Sequence, residues 1–272
     1  MNSKERRECS VLTDASVERV FGVGPCDVTA HRWACAATVR PWMDGALPRV
    51  AVLLDHVLGE AVFARRPRGT WSITAELSVE LAAPVPDGAR IEAVVGDVVV
   101  DADGGFAWAT VTGEDGRLVA LGSTWVNVVP VGVEAEAALR AAGRDDATPP
   151  SSDRARPERA GGAAEVLGLV VAQGDGDAVV ARLDDTGPWA NLFGTLHGGV
   201  AATAAGIVAQ RLRPGMRVSG LRVSYPRGVT APSAVELVAE TVHPGRRLVT
   251  ARVRGRDAQG RLCFEAAVGL RA

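Results

Sequence analysis

EAVVGDVVVDADGGFAWATVTGEDGRL, residues 92–118, has a second copy in ELVAETVHPGRRLVTARVRGRDAQGRL, residues 236–262. Each copy holds two strand-like runs around a polar turn and ends in a turn that reads Gly-Arg-Leu. The two final turns begin at Gly116 and Gly260, so the copies are offset by 260 − 116 = 144 residues. A repeat at a fixed offset indicates that one unit was duplicated to make the chain.

The repeat extends upstream at the same offset. TAELSVEL, residues 74–81, aligns with VSGLRVSY, residues 218–225, because 218 − 74 = 144. Ahead of each stretch lies an apolar segment rich in small residues, Ala46–Ala64 and His197–Leu212, which predicts one buried helix. Each half is therefore expected to be a long helix followed by about four strands in meander order, an α+β architecture in which an antiparallel sheet wraps around the helix.

A composition shift at residues 131–164 separates the halves. Pro, Ser, Asp, Arg and Ala replace the strand pattern there, which predicts a partly disordered linker whose first part, Val133–Ala142, could form a short helix. The predicted domains are therefore residues 1–130 and 165–272, with the linker of residues 131–164 between them.

Length and composition exclude several classes of protein. At 272 residues, 47% hydrophobic and 23% charged, the chain has the composition of a globular protein of about two domains. Its formal net charge of -2 provides no large positive field to bind nucleic acid. No run approaches about 18 apolar residues and the N-terminus lacks a signal-peptide pattern, so no membrane partner is expected and a cytoplasmic location is predicted.

The cysteines and histidines predict no metal site. No C-x-x-C pair is present and no histidine has metal-ligand spacing, so reduced structural thiols are expected at Cys9, Cys26, Cys35 and Cys263.

The second predicted helix begins within the segment NLFGTLHGGV, residues 191–200. Two glycines at the start of a helix let its backbone approach a ligand closely. The first N–H groups of a helix have no partner within it and lie at its positive end, so they can stabilise a carbonyl oxygen that gains negative charge. A Gly-Gly pair alone also fits tight packing of a loop on a helix, and Asn191 and His197 are the residues that favour a functional site.

The pattern Asn-x-x-Gly-Thr-Leu-His-Gly-Gly at residues 191–199 resembles the hot-dog-fold acyl-CoA thioesterases, specifically their phenylacetyl-CoA thioesterase-like branch. Because members of that family pair two such domains, the resemblance implies two tandem hot-dog domains that form an intramolecular pseudo-dimer. It also implies a hydrolase that cleaves the thioester of an acyl-CoA or an acyl-carrier protein. Coenzyme A would enter as part of the substrate, with no further cofactor.

The acid of the family lies nine positions after the motif histidine, where this chain has Gly206. The helix of the first half is complementary, because Asp55 occupies the position of the acid while Ala46-Leu47-Pro48 replaces His-Gly-Gly. Thr74 lies on the following strand, where relatives have a hydroxyl that helps to hold the attacking water, and its counterpart in the second half is Val218.

Combining the halves gives one complete set of catalytic residues. The resemblance implies that Asp55 activates water or attacks directly and that Thr74 orients the water. The N–H groups of Gly198 and Gly199 would hold the thioester carbonyl. The reciprocal set offers no acid, base or donor, so one working site and one inactive site are predicted; that set is Ala46, Pro48, Gly206 and Val218.

Two residues of the motif complete the predicted site. Asn191 would position the carbonyl or the water, and His197 would fix the loop or assist the departing thiolate. Burial of Asp55 without a cationic partner would raise the pKa of its carboxyl, which suits a general base. His56, next in the chain, projects about 100° around the helix and is expected to pack or to face solvent.

The substrate tail is expected to enter between the two helices. Aromatic residues that either line this pocket or only fill the core are Trp42, Trp71, Trp189 and Phe193. A basic cluster after the first helix either meets the phosphates of coenzyme A or phosphopantetheine or is a solvated loop; it consists of Arg65, Arg66 and Arg68.

Two other functions stay open on the sequence. The hot-dog fold also serves lyases, dehydratases and cyclases that act on thioesters, and the loss of one site fits a non-catalytic acyl-CoA-binding module. A G-x-S-x-G elbow, a P-loop and a G-x-G-x-x-G turn are all absent, which argues against α/β-hydrolases, NTPases and dinucleotide enzymes. Homo-oligomers formed through sheet packing are a further expectation.

Overall fold

A computed structural model describes residues 16–29, 32–131, 161–175, 177–191 and 193–272. Most of the predicted linker, including the helix expected at Val133–Ala142, lies outside the described residues. The domain boundaries at residues 130 and 165 therefore stay predictions.

In the first half, a short helix and two strands precede the long helix, and four strands follow it. These elements are α1 (Val17–Val20), β1 (Val23–Val28), β2 (Trp33–Thr38), α2 (Leu47–Phe63), β3 (Thr70–Leu81), β4 (Arg90–Val100), β5 (Gly104–Gly113) and β6 (Leu118–Pro130).

The second half repeats this order. Its elements are α3 (Ala163–Leu167), β7 (Leu169–Gln173), β8 (Val179–Leu183), α4 (Gly198–Arg211), β9 (Arg217–Ser224), β10 (Val235–Pro244), β11 (Leu248–Asp257) and β12 (Leu262–Arg271). Both long helices and the four strands after each were predicted. The two strands ahead of each long helix were not, because they are only five or six residues long and Gly24-Pro25 interrupts the alternation in β1.

The strands of the described residues form one sheet, in the order β1-β2-β4-β5-β6-β3-β9-β12-β11-β10-β8-β7. The halves join where β3 pairs antiparallel with β9, and Ser78 lies opposite Arg222 in that pair. Because 222 − 78 = 144, these two residues are equivalent in the sequence repeat. The two-fold axis that relates the halves therefore passes between them, and the predicted class of two tandem hot-dog domains in one pseudo-dimer is confirmed.

Helices α2 and α4 pack against each other and against one face of the sheet. Their apolar side chains supply much of the core; Leu53, Leu54 and Val208, for example, are almost fully buried. Close contact depends on Gly199, because a Cβ there would lie 2.6 Å from the Cα of Val52. None of the helices in the described part of the chain is long and apolar enough to cross a membrane.

Two glycine-to-alanine substitutions test this helix contact. Gly199→Ala should lower the free energy of unfolding by about 1–3 kcal/mol, because the new methyl group forces the helices apart. The matched control is Gly59→Ala on α2, where no heavy atom lies within 4 Å of the added Cβ. That variant should be neutral or up to about 1 kcal/mol more stable because alanine favours a helix. Urea unfolding measures both, and equal effects would contradict the packing described here.

Candidate active site

Asp55 lies in the middle of α2 on the side that faces α4, and both of its carboxylate oxygens accept hydrogen bonds. The hydroxyl of Thr74 on β3 donates to Oδ1 at 3.1 Å. The backbone N–H of Gly199, the second residue of α4, donates to Oδ2 at 2.8 Å. The acid of the first half is therefore buried against the start of the helix of the second half, and the structure brings these three predicted site residues together.

His197 directly precedes α4, and its imidazole lies between two carboxylates. Its Nδ1 is 3.1 Å from Oδ2 of Asp55, and its Nε2 is 3.3 Å from Oε1 of Glu18. Glu18 belongs to α1, ahead of the sheet of the first half. The side chains of His197 and Glu18 are 6% and 15% exposed, so the three groups form a buried ion-pair cluster.

The two carboxylates keep His197 protonated. Burial lowers the pKa of His197, but the hydrogen bonds to Asp55 and Glu18 and the charges of both outweigh burial and raise it to about 10. An imidazolium has two donors, so Nδ1 donates to Asp55 and does not accept from the Gly199 N–H that lies 3.1 Å away. The Gly199 N–H is directed to Asp55 instead.

The same cluster keeps Asp55 ionised. Burial raises the pKa of its carboxyl, but the hydrogen bond and charge of His197 outweigh burial and hold the pKa below the usual value. Burial also raises the pKa of Glu18, but the hydrogen bond and charge of His197, with the charge of His56, outweigh burial and hold this pKa well below its usual value. The prediction of a raised pKa for Asp55 was wrong, because it assumed that no cation lies beside the carboxylate.

The start of α4 holds one further backbone donor. No residue in the described ranges accepts a hydrogen bond from the N–H of Gly198, the first residue of the helix. A Cβ at this position would lie 2.8 Å from Oδ2 of Asp55, so the carboxylate needs a glycine here. Of the two glycines expected to hold a carbonyl, Gly198 has the available donor in this structure, whereas Gly199 orients the acid.

Tyr225, just after β9, supports this peptide from the other side. Its hydroxyl donates to the carbonyl oxygen of Gly198 at 2.7 Å. That carbonyl shares a peptide group with the Gly199 N–H, so one rigid unit joins the phenol to the Asp55 carboxylate. Burial, together with the charge of Asp55, raises the pKa of Tyr225 well above 10, so the phenol stays a donor.

Asn191 shapes the loop that leads into α4. Its Oδ1 accepts from the backbone N–H groups of Phe193 and Thr195 at 2.9 and 3.2 Å, and from the Thr195 hydroxyl at 3.1 Å. This oxygen is therefore occupied by the loop itself. That Asn191 positions a carbonyl or a water stays a prediction. Since Oδ1 is occupied, the N–H groups of the side-chain amide would have to make that contact.

Aromatic residues from both halves meet near the end of α2. Trp71 on β3 contacts Phe193 edge-to-face, with ring centroids 4.8 Å apart, and contacts Phe63 at 4.6 Å. The guanidinium of Arg66 lies 3.4 Å from the ring centre of Phe63 and donates to the carbonyl of Thr70. Arg66 is therefore bound to this aromatic cluster and is not a solvated cation.

The remaining aromatic and basic residues predicted to bind substrate have other surroundings or are exposed. Trp42 packs edge-to-face on Phe21 at 5.0 Å. The indole of Trp189 is buried and donates to the carbonyl of Leu167 at 3.1 Å, so it fills the core. Arg65 and Arg68 are exposed at the end of α2.

At the reciprocal position none of the four equivalent residues is an acid or a base, although Asp44 and Glu80 also line the cavity there. A cavity of about 520 Å³ lies there, and its lining includes all four equivalent positions, Ala46, Pro48, Gly206 and Val218. A Cβ at position 206 would lie 2.3 Å from Cδ2 of Leu47. Leu47 therefore fills the space that an acid on α4 would need.

Sequence reasoning missed two residues of the site. Tyr225 is the single tyrosine of the chain and aligns with Leu81 in the repeat, and this difference between the copies could have indicated it. Glu18 gave no such signal, because it lies before the first predicted element and reaches His197 only through the fold.

Comparisons with known proteins agree with this fold. Residues 193–264 match the family model of the thioesterase superfamily. No curated protein matches the chain.

Three solved structures align with nearly the whole chain. A candidate thioesterase from Novosphingobium aromaticivorans is 18% identical with a TM-score of 0.61, over 90% of this chain and 97% of that one. The 12:0-ACP thioesterase from Umbellularia californica is 9% identical with a TM-score of 0.59, over 94% and 98%. An acyl-ACP thioesterase from Bacteroides thetaiotaomicron is 12% identical with a TM-score of 0.55, over 93% and 99%. The predicted resemblance to hot-dog thioesterases is confirmed at the level of the fold.

The ion-pair cluster predicts a pH dependence of stability. The pKa of His197 rises from 6.5 to about 10 on folding. The proton that the folded state holds more tightly therefore stabilises the fold fully below pH 6.5, and this contribution is lost as the pH rises toward 10. The free energy of unfolding should fall over this window more steeply in the wild type than in His197→Gln. Urea unfolding at several pH values measures both slopes, and identical slopes would show that His197 is not the titrating group.

Proposed function

We propose that this protein hydrolyses an acyl thioester at one composite site between its halves. The observation that supports this most strongly is the meeting of Asp55 with the start of α4. There an ionised carboxylate from one half lies beside the available N–H of Gly198 from the other. Thioester hydrolysis needs this combination of a base or nucleophile and a donor for the developing oxyanion.

The donor side of the site is the first turn of α4. The thioester carbonyl oxygen accepts from the N–H of Gly198 and lies at the positive end of the helix dipole, which stabilises the tetrahedral intermediate. The imidazolium of His197 adds a positive charge beside the same site. Removal of one such donor costs roughly 10²–10³ in rate in other acyl-transfer enzymes.

The acid side of the site is Asp55. Its lowered pKa keeps it ionised at neutral pH, as either of its two possible roles requires. As a base, it takes a proton from water while the hydroxide adds to the carbonyl carbon. As a nucleophile, it forms an acyl anhydride that water then cleaves. In both routes the C–S bond breaks, the sulfur leaves as a thiol after taking up a proton, and the acyl group leaves as a carboxylic acid.

Three neighbours position these groups. Thr74 donates a hydrogen bond to Oδ1 of Asp55, and its proposed role is to orient the attacking water. Tyr225 fixes the peptide between Gly198 and Gly199. Glu18 holds His197 in its charged form from the side opposite Asp55.

The substrate class proposed is an acyl-CoA or an acyl-carrier-protein thioester. The aromatic cluster of Trp71 and Phe193, with Trp71 on the same strand as Thr74, is proposed to bind the acyl or aryl tail. Arg65 and Arg68, which are exposed just after the end of α2, are proposed to meet phosphates of the carrier.

The direct test measures thiol release from a panel of acyl-CoA substrates with aliphatic and aromatic acyl groups. Wild-type protein should release thiol from at least one of them, and Asp55→Asn should lower kcat by roughly 10²–10⁴-fold. The matched control is Asp97→Asn, an exposed aspartate on β4, which should keep full activity.

Three other outcomes of this test would contradict the proposal. Binding without thiol release would favour a non-catalytic acyl-CoA-binding module, and conversion of the acyl group without thiol release would favour a lyase or dehydratase. Full activity of Asp55→Asn would remove Asp55 from the reaction.

Self-association through the sheet is a further part of the proposal. The outer face of β5 and β6 exposes Trp108, Leu121 and Trp125, with Trp125 54% exposed. A row of large apolar side chains on a sheet surface is typical of an interface. Sedimentation of wild type and Trp125→Lys should show a dimer or larger species that the substitution weakens, and a monomeric wild type would contradict it.

A further inference from the structure

A β-bulge brings two cysteines to the inner face of the sheet. The pairing of β1 with β2 shifts register between Val23 and Cys26, and Cys26 lies opposite Cys35. Cys26 lies three positions after Val23, so in a regular strand their side chains would point to opposite faces. The extra residue of the bulge directs both inward, because bulges re-aim side chains in this way.

His56 on α2 faces these two cysteines. Its Nε2 lies 3.7 Å from Sγ of Cys26. The two sulfur atoms and the imidazole nitrogen all lie within 4.8 Å of one another. His56 is 7% exposed and Cys35 is 1% exposed, so His56 neither faces solvent nor packs only against apolar groups. We call these three residues the Cys-Cys-His cluster.

The distances in the cluster approach those of a tetrahedral zinc site. Zn–S bonds of about 2.3 Å and Zn–N bonds of about 2.0–2.1 Å place sulfur and nitrogen about 3.6 Å apart and two sulfurs about 3.8 Å apart. The Cys26–His56 separation of 3.7 Å already matches. The remaining separations are at most 4.8 Å, so zinc binding would have to shorten them by no more than about 1 Å.

We infer that the Cys-Cys-His cluster binds a zinc ion through the two sulfurs and the imidazole Nε2, with a fourth position left for water or another ligand. Two thiolates and one imidazole form a ligand set that favours zinc over magnesium or calcium. Binding releases the two thiol protons to solvent, so the two charges of the ion are balanced by the two thiolates that bind it. The inference does not rest on the proposed thioesterase activity.

Glu18 supplies the second contact that histidine ligands of zinc usually make. Its Oε1 lies 3.7 Å from Nδ1 of His56, the ring nitrogen that does not face the sulfurs. At this distance the carboxylate makes no hydrogen bond, but its charge favours the tautomer with the proton on Nδ1, which leaves Nε2 free to bind the metal. Because the same carboxylate contacts His197, the zinc site and the candidate active site share one residue.

Sequence reasoning predicted no metal here for a clear reason. The three ligands come from β1, β2 and α2, with no C-x-x-C spacing between them. Only the bulge and the packing of α2 on the sheet bring them together.

The test titrates the purified, reduced full-length protein with Zn²⁺ by calorimetry and with Co²⁺ by absorption. The background variant Cys9→Ser/Cys263→Ser leaves Cys26 and Cys35 as the two cysteines of the chain. We expect this background to bind about one ion per chain and Co²⁺ to give a thiolate charge-transfer band. Adding Cys35→Ser should abolish zinc binding and remove most of that band, His56→Asn should sharply weaken the binding of both ions, and Glu18→Gln should weaken zinc binding by about 10–100-fold.

Circular dichroism of each variant shows whether it is folded, and Glu18→Gln tests the site without removing a ligand. The inference is overturned if the reduced background protein binds no zinc, or if zinc binding survives in folded Cys35→Ser. It is also overturned if mass spectrometry finds Cys26 and Cys35 joined as a disulfide that persists in reducing buffer, because a disulfide leaves no thiolate to bind the metal.

Discussion

The ion pair between Asp55 and His197 is the interaction on which the site depends. A charge buried between two helices is costly unless it is paired and hydrogen-bonded. Here the carboxylate is satisfied by the imidazolium, by the Gly199 N–H and by the Thr74 hydroxyl. Because these partners come from both halves, the candidate active site is complete only when the two halves pack against each other.

The same constraint explains how the two copies diverged. In one copy of the helix contact a glycine, Gly198, makes room for an aspartate on the opposite helix. In the other copy Leu47 fills that room, and Gly206 is the residue that accommodates it. Side-chain volume has been exchanged between equivalent positions, so restoring an acid at position 206 would also require removal of the leucine. This exchange fits a duplicated chain in which one site was kept and the other became a packing contact.

Much of the fold was accessible from the sequence because its signals are local and repeated. The long apolar segments gave both helices, and the offset of 144 residues between Gly116 and Gly260 matches the pairing of Ser78 with Arg222 at the two-fold axis. The pairing of Asp55 with the start of α4 followed from the resemblance and from the missing acid at Gly206.

Other features depend on contacts between distant residues, which no local pattern records. Glu18 lies on a helix of four residues and contacts His197, which is far away in the sequence. The sign of the pKa shift at Asp55 depends on that histidine, whose charge is set by two carboxylates. The Cys-Cys-His cluster depends on a bulge that changes which face Cys26 occupies. In each case the elements were partly predictable and the chemistry arose from how they pack.

The most direct measurement is a crystal structure with a ketone analogue of an acyl-CoA, in which a methylene group replaces the thioester sulfur. We expect one analogue per chain, with its carbonyl oxygen about 3 Å from the N–H of Gly198 and its carbonyl carbon facing the carboxylate of Asp55. An analogue whose carbonyl lies instead in the cavity beside Leu47 and Gly206, or away from the start of α4, would contradict it.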